Sequence, residues 1–267
     1  MGGEEREARI RPLMNVGRRA LVTGAARGLA AGVAAALPAD GFEHVAVTYR
    51  SVPPDETLGA IAAAGATASA ARIDFLDDES TIAGALAAIV RDRGPFDSLV
   101  HGVGPLIVKR FARLSLDDYR EIFDGNVRSA VLTARAVIPA MRAANFGRIV
   151  FFAMLGSDQT QPFRGFTFYQ AAKSAVVAFA RSLAIEEARH GITVNVIAPG
   201  DIRHKSLTRR EALARSAANP RGRPGTFEDI ADAVRFFVAR DRDFVTGSVL
   251  GVSGGLTQAD ERNERAP

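Results

Sequence analysis

Tyr169 and Lys173 stand four residues apart at the front of "FTFYQAAKSAVVAFARSLAIEEARHGITVNVIAPG", residues 166–200. On a helix, residues at this spacing share one face, a turn apart. A phenol and an ammonium so placed are either two polar residues of an ordinary surface helix or an acid and the group that tunes it. Free tyrosine has a pKa of about 10, too high for efficient acid–base work near neutrality. A neighbouring ammonium favours the phenolate, so the expectation is a Tyr169 pKa lowered by Lys173. A second chemical candidate is the turn in "LVTGAARGLAAGVAAAL", residues 21–37. Gly24 and Gly28 allow a tight turn and close backbone approach. The helix that follows offers unpaired N–H groups and a positive dipole end, which suits a pyrophosphate. A plain turn is the bland reading, and a glycine pattern alone is weak.

Elements to position these residues follow from periodicity. Short apolar runs at 19–24, 44–50, 66–74, 96–104, 147–155, 191–200 and 247–255 read as strands, with amphipathic helical runs between them. Alternating strands and helices predict an α/β fold, a single-domain Rossmann-type doubly wound parallel sheet of about seven strands with helices on both faces. Ligand sites then lie outside the carboxyl ends of the strands. Residues 1–17 and 258–267 read as loose tails on one domain spanning 18–257, with neither an internal repeat nor a composition break.

Composition limits the function. The 267 residues are 47% hydrophobic and 24% charged, enough for a globular core. No apolar run is long enough for a membrane span, and the N-terminus lacks the apolar centre of a signal peptide. A cytoplasmic, non-membrane protein is the simple reading. Cysteine is absent, and the four histidines show no ligand spacing, so no metal site is expected. The net charge of +4 is mild and scattered, tryptophan is absent, and no basic stripe with aromatics marks a nucleic-acid surface.

The end of the second strand bears on the choice of dinucleotide. A carboxylate there usually meets the ribose hydroxyls of NAD. Here it reads Thr48-Tyr49-Arg50-Ser51, and a second arginine, Arg27, lies inside the glycine turn. Two guanidiniums suit the 2′-phosphate of NADP(H). Solvated surface arginines are the alternative.

The chain resembles the short-chain dehydrogenase/reductase family. The matching pieces are "TGAARGLA" at 23–30, "RID" at 72–74, Asn126 in "GNVRSA", "YQAAK" at 169–173, "GITVNVIAPG" at 191–200 and "FVTGSVLGVSGG" at 244–255. The resemblance covers the chain from residue 18 to about 257, and the phrasing is most similar to the 3-oxoacyl-carrier-protein reductase branch. The resemblance implies hydride transfer between NADP(H) and a carbonyl or secondary alcohol, with a 3-oxoacyl thioester on a carrier protein as one substrate. It implies that Tyr169 handles the proton, that Lys173 holds the nicotinamide ribose and that Asn126 binds a relay water. The cofactor would lie along Gly24, Arg27, Gly28 and Leu29, then Arg50 and Ser51. Asp74 and Phe75 would border adenine. Gly102, Val103 and Gly104 would line the cofactor, and Pro199, Gly200 and Ile202 would pass its nicotinamide end. A substrate lid would fall near 201–225, where arginines, Lys205 and His204 cluster. A homotetramer would pack through helices around 118–143 and 167–189.

The chain departs from the family pattern in three places. Ala30 takes the third glycine of the turn, an accepted variant. His101-Gly102-Val103-Gly104 replaces Asn-Asn-Ala-Gly; a buried, hydrogen-bonded histidine is the bland reading of His101, proton handling the other. The serine that would hold the substrate oxygen falls on Met154 or Gly156, depending on the alignment. Ser157 is the candidate substitute, with Thr160, Asp158 or a backbone N–H behind it. This loss keeps a rival class open, a catalytically weakened dinucleotide-binding regulatory or interaction protein. Phe163, Phe166 and Phe168 are core, subunit contact or an apolar substrate wall.

Overall fold

The computed structural model describes residues 17–200, 202 and 207–256. The expected tails, up to residue 16 and from residue 258, lie outside the described residues. So do Asp201 and residues 203–206 of the expected lid, His204 and Lys205 among them.

All the expected strands form: β1 (Arg18–Thr23), β2 (Phe42–Tyr49), β3 (Thr67–Arg72), β4 (Ser98–His101), β5 (Gly147–Phe152), β6 (Ile192–Pro199) and β7 (Val249–Val252). They make one seven-stranded parallel sheet in the order β3-β2-β1-β4-β5-β6-β7. The central strands are buried on both faces, so they read as unbroken apolar runs. Within β1, Ala20 and Val22 point into one core with α1 (Gly28–Ala36) and α8 (Phe227–Val238), while Leu21 points into the other. This is the twofold alternation of a strand. The second core holds Val137 and Met141 of α5 (Ser129–Ala144) and Val176, Ala180 and Ala184 of α6 (Thr167–Glu187). β3 is an edge strand, "TASAAR", with no fully buried residue, which is why its pattern is weak in sequence.

Two expectations change in detail. The run 96–104 contracts to β4, because after His101 the glycines carry the chain out of the sheet. The single helix expected over 118–143 is α4 (Leu116–Phe123), a π-turn (Asp124–Arg128) and α5. One extra residue is inserted there, since the Ser129 N–H bonds Asp124 O rather than Gly125 O. Apolar periodicity does not register such a local change. The remaining helices are α2 (Asp55–Ala63), α3 (Glu79–Arg93) and the short α7 (Arg209–Ala212). Among the described residues no helix is long and apolar enough to cross a membrane.

At the opposite end of the sheet from the glycines, Arg148 is buried at 1% exposure. Its guanidinium donates to Gly147 O, Gly191 O, Ala239 O and Arg240 O over 2.8–3.2 Å. Arg18 donates to Val238 O over 2.6 Å. Both cations thus sit at the carboxyl end of α8, where unpaired carbonyls and the helix dipole favour positive charge.

Candidate functional site

Strand order reverses between β1 and β4, and the loops leaving those strands part to form a cleft. Its two chambers share Gly24, Arg27, Gly102 and Gly104. One, about 310 Å³, is lined also by Arg50, Asp74, Phe75, Val103 and Gly125. The other, about 660 Å³, is lined also by Gly28, Leu29, Tyr169, Lys173, Pro199, Gly200 and Ile202. The predicted residues therefore line one chamber or the other, except Ser51, which is exposed and off both walls, Ser157, and Asn126, which is buried beside Gly104.

The cleft fits a dinucleotide. Gly24 has φ +68° and approaches Val103, so the turn needs glycine. A Cβ on Gly102 would lie 2.6 Å from Ala30 Cβ, and one on Gly104 would lie 2.8 Å from Asn126 Oδ1 and 2.9 Å from Lys173 Nζ. The first turn of α1 has no side-chain cap, so its amides face the cleft with the positive end of the helix dipole. Arg50 donates through Nε to Asp74 Oδ2 over 2.9 Å, and Arg27 stands exposed at the rim. The two guanidiniums line one chamber, but Arg50 is already tied to a carboxylate that the sequence reading assigned to adenine.

Tyr169 lies in the first turn of α6 and Lys173 one turn on, with Lys173 Nζ 5.5 Å from the centre of the Tyr169 ring. Lys173 is buried and donates to Phe152 O over 2.9 Å, so the end of β5 fixes its ammonium. The chain by itself does not show the expected lowering of the tyrosine: desolvation pushes Tyr169 up, to about 12. Desolvation is the cause of the shift, since it penalises the phenolate. The group is therefore a protonated phenol at neutral pH.

Asn126 sits in the π-turn, where its Nδ2 donates to Pro105 O and Ile122 O over 3.0 and 2.9 Å. Its Oδ1 is buried without a protein partner and flanks Gly104 opposite Lys173 Nζ. A buried acceptor without a partner is suited to a ligand or an ordered water.

Ser157 is a second correction. It is 1% exposed, its Oγ accepts from Met154 N at 3.3 Å and donates to Gln170 Oε1 at 3.4 Å, and it lines neither chamber. The turn after β5 rolls it under α6, where Ser174 Oγ donates to its carbonyl. Met154 takes the wall beside Phe152 and Ala153 instead, and Gly156 faces a separate pocket. The aromatic triplet divides: Phe166 lines the large chamber, with ring centroid 6.3 Å from Tyr169, while Phe168 packs edge-on against Phe111 and Tyr119. Leu106 also lines the chamber, and nothing in the sequence singles it out. Among the described residues, the side chains lining the chamber around Tyr169 and Lys173 are the apolar Leu106, Phe152, Met154 and Phe166.

His101 follows its bland reading. It is 3% exposed, bonded to Thr23 Oγ1 and Ser129 Oγ, and burial pushes it down to about 3, so it stays neutral. His44 likewise bonds Thr67 and Ser69.

A parallel doubly wound sheet with a dinucleotide-shaped cleft and a Tyr–Lys pair at one end defines a class of oxidoreductases. Residues 24–257 match the family described as enoyl-(acyl carrier protein) reductase. The 3-oxoacyl-[acyl-carrier-protein] reductase FabG of Haemophilus influenzae is 33% identical over 243 residues, covering 90% of this chain and 98% of that protein. Gluconate 5-dehydrogenase of Gluconobacter oxydans is 32% identical over 246 residues, covering 90% and 95% respectively. A blue fluorescent protein from a metagenomic library, solved in complex with NADPH, superimposes with a TM-score of 0.76 at 30% identity, covering 90% of this chain and 97% of that one. The chain belongs to the short-chain dehydrogenase/reductase family of oxidoreductases.

Proposed function

We propose that the protein is an NADP(H)-dependent carbonyl reductase, with 3-oxoacyl thioesters as its substrate class. The observation that carries this reading is the Tyr169–Lys173 pair on the wall of a chamber continuous with the dinucleotide cleft. Arg27 and Arg50 beside an uncapped helix start support a 2′-phosphate and pyrophosphate at the other end. FabG and the NADPH-bound relative point the same way.

When bound, NADPH supplies the hydride. The chain supplies the rest. Tyr169, a protonated phenol at neutral pH, donates its hydroxyl proton to the carbonyl oxygen as negative charge develops there. Lys173, fixed by Phe152 O, places a cation behind the phenol as it loses its proton. Asn126 Oδ1 accepts from the group that returns a proton to the pair. Leu106, Phe152, Met154 and Phe166 keep water from the reacting carbon and accept an acyl chain. We infer a cytoplasmic homotetramer, supported by the exposed apolar side chains of Leu116 and Ile185 on α4 and α6.

Calorimetric titration with NADPH and NADH, followed by turnover of 3-oxoacyl and 2-enoyl thioesters, tests this reading. The expected result is NADPH binding at least about tenfold tighter than NADH, as two charge-assisted phosphate contacts would give, and NADPH oxidation with the 3-oxoacyl substrate. Equal binding refutes the arginine clamp. Turnover of the enoyl substrate alone refutes the carbonyl assignment.

A further inference from the structure

His101 is a buried titratable group that the proposed reaction does not use, and its neighbours give it a defined proton arrangement. It ends β4, with the rings of Phe75 and Phe151 edge-on at centroid distances of 6.0 and 5.9 Å. Nδ1 lies 2.9 Å from Thr23 Oγ1, and Nε2 lies 3.0 Å from Ser129 Oγ. Both hydroxyls are fully buried.

What each hydroxyl does at its other end fixes the tautomer. Ser129 Oγ donates to Gly125 O over 2.7 Å, so it faces Nε2 with a lone pair and Nε2 must carry the hydrogen. Thr23 Oγ1 shares the Gly102 N–H with Thr23 O, at 3.2 and 3.1 Å, and turns its own hydrogen to the bare Nδ1. One directed series results: Gly102 N–H to Thr23, Thr23 to His101, His101 to Ser129, Ser129 to Gly125 O.

Both ends of the series are cleft wall. Gly102 lines both chambers, and Gly125 lines the smaller one and precedes Asn126. In an unbroken α-helix the Ser129 amide would bond Gly125 O, but the π-turn sends that amide to Asp124 O. The Ser129 hydroxyl is the replacement donor, and the π-turn sets where Asn126 Oδ1 stands relative to Lys173 and Gly104.

We propose that His101 is a positioning residue: its Nε2–H directs the Ser129 hydroxyl onto Gly125 O and so holds the π-turn that presents Asn126, while its Nδ1 anchors the Thr23–Gly102 wall of the cofactor cleft. The inference rests on the reductase reading for the meaning of kcat, and on geometry alone for the tautomer and the cofactor wall.

Selective ¹⁵N-histidine labelling of the full chain reads the tautomer directly, with a His101 variant assigning the signal among the four histidines. The expected result is an Nε2–H imidazole that does not titrate between about pH 5 and 9. An Nδ1–H tautomer or a titrating ring overturns the proposal, whether or not any variant folds. Three variants then separate the arms. Ser129→Ala cuts the α5 side and should lower kcat about tenfold, through displaced Asn126, with NADPH Kd within about twofold. Thr23→Val cuts the β1 side and should raise NADPH Kd about fivefold at nearly constant kcat. His101→Phe keeps the ring contacts, loses both bonds and should show both effects. A purely structural role would lower Tm in all three and leave kcat and Kd unmoved, which also overturns the proposal. Tautomer and Kd are read without substrate. A wild-type protein that binds NADPH but reduces no carbonyl therefore defeats the reductase reading, and a wrong tautomer defeats this one.

Discussion

Tyr169 is a phenol at neutral pH, as free tyrosine is, and desolvation holds it there further into alkaline solution. Its pKa lies above the ordinary tyrosine value, near 12, so the acid form persists through neutral and mildly alkaline solution. A proton donor needs that form, and reduction at saturating NADPH should be flat in rate from about pH 6 to about pH 10 as far as this group is concerned. A single fall centred near pH 7–8 in the kcat profile, tracking a Tyr169 that ionises there, would contradict the role of burial. The sequence displays the i,i+4 pair plainly but not which influence on the phenol dominates, because desolvation depends on walls contributed by distant segments. The same limit applies to Ser157. It has the right chemistry and nearly the right place, yet the turn after β5 buries it beneath α6 and leaves Met154 on the wall. Met154 lines the same chamber as Tyr169 and has no hydrogen to donate to a reacting oxygen. Met154→Ser should therefore raise kcat about tenfold, a modest share of what an oxyanion donor contributes in enzymes built around one. A kcat that is unchanged or lower, in a variant that still binds NADPH, would mean that the position does not face the reacting oxygen.

Elements carry the residues to their places, and most are legible from alternation and length. Seven apolar runs become seven strands, with β4 shortened where Gly102–Gly104 leave the sheet for the cleft. The π-turn between α4 and α5 escapes such reading, since one inserted residue barely disturbs apolar periodicity while it redirects the Ser129 amide and frees Gly125 O. Arg148 escapes it too. A strand residue of that type reads as exposed, but its guanidinium is spent on four carbonyl oxygens that join β5 to the end of α8. Burial lowers its pKa to about 10, which leaves it a cation at neutral pH. Arg148→Ala should cost about 1–3 kcal/mol, because it removes a donor shared by four carbonyls, of which Gly191 O and Ala239 O keep the amides of Gly147 and Arg242. Chemical denaturation of wild type and variant measures it, and a loss under about 1 kcal/mol would mean that solvent replaces the guanidinium there.

For the whole molecule, the fold was legible because local signals agree: glycine turn after strand, alternating elements, an apolar sheet and a Tyr–Lys helix all require the same topology. Cofactor and substrate choice are less so. Arg27 and Arg50 line one chamber as expected, yet the Arg50–Asp74 pair shows that a guanidinium in the right place already has a competitor for it. The chamber of about 660 Å³ is shared with Arg27, Gly28 and Ile202 of the dinucleotide cleft, so its size does not identify a substrate. The claim on which the rest depends is that Tyr169 delivers the proton in NADPH-dependent carbonyl reduction. It is tested most directly by comparing wild type and Tyr169→Phe for NADPH affinity and for turnover of a 3-oxoacyl thioester. The account predicts unchanged affinity with turnover reduced about 10²–10⁴-fold; turnover that survives the loss of the hydroxyl would contradict it.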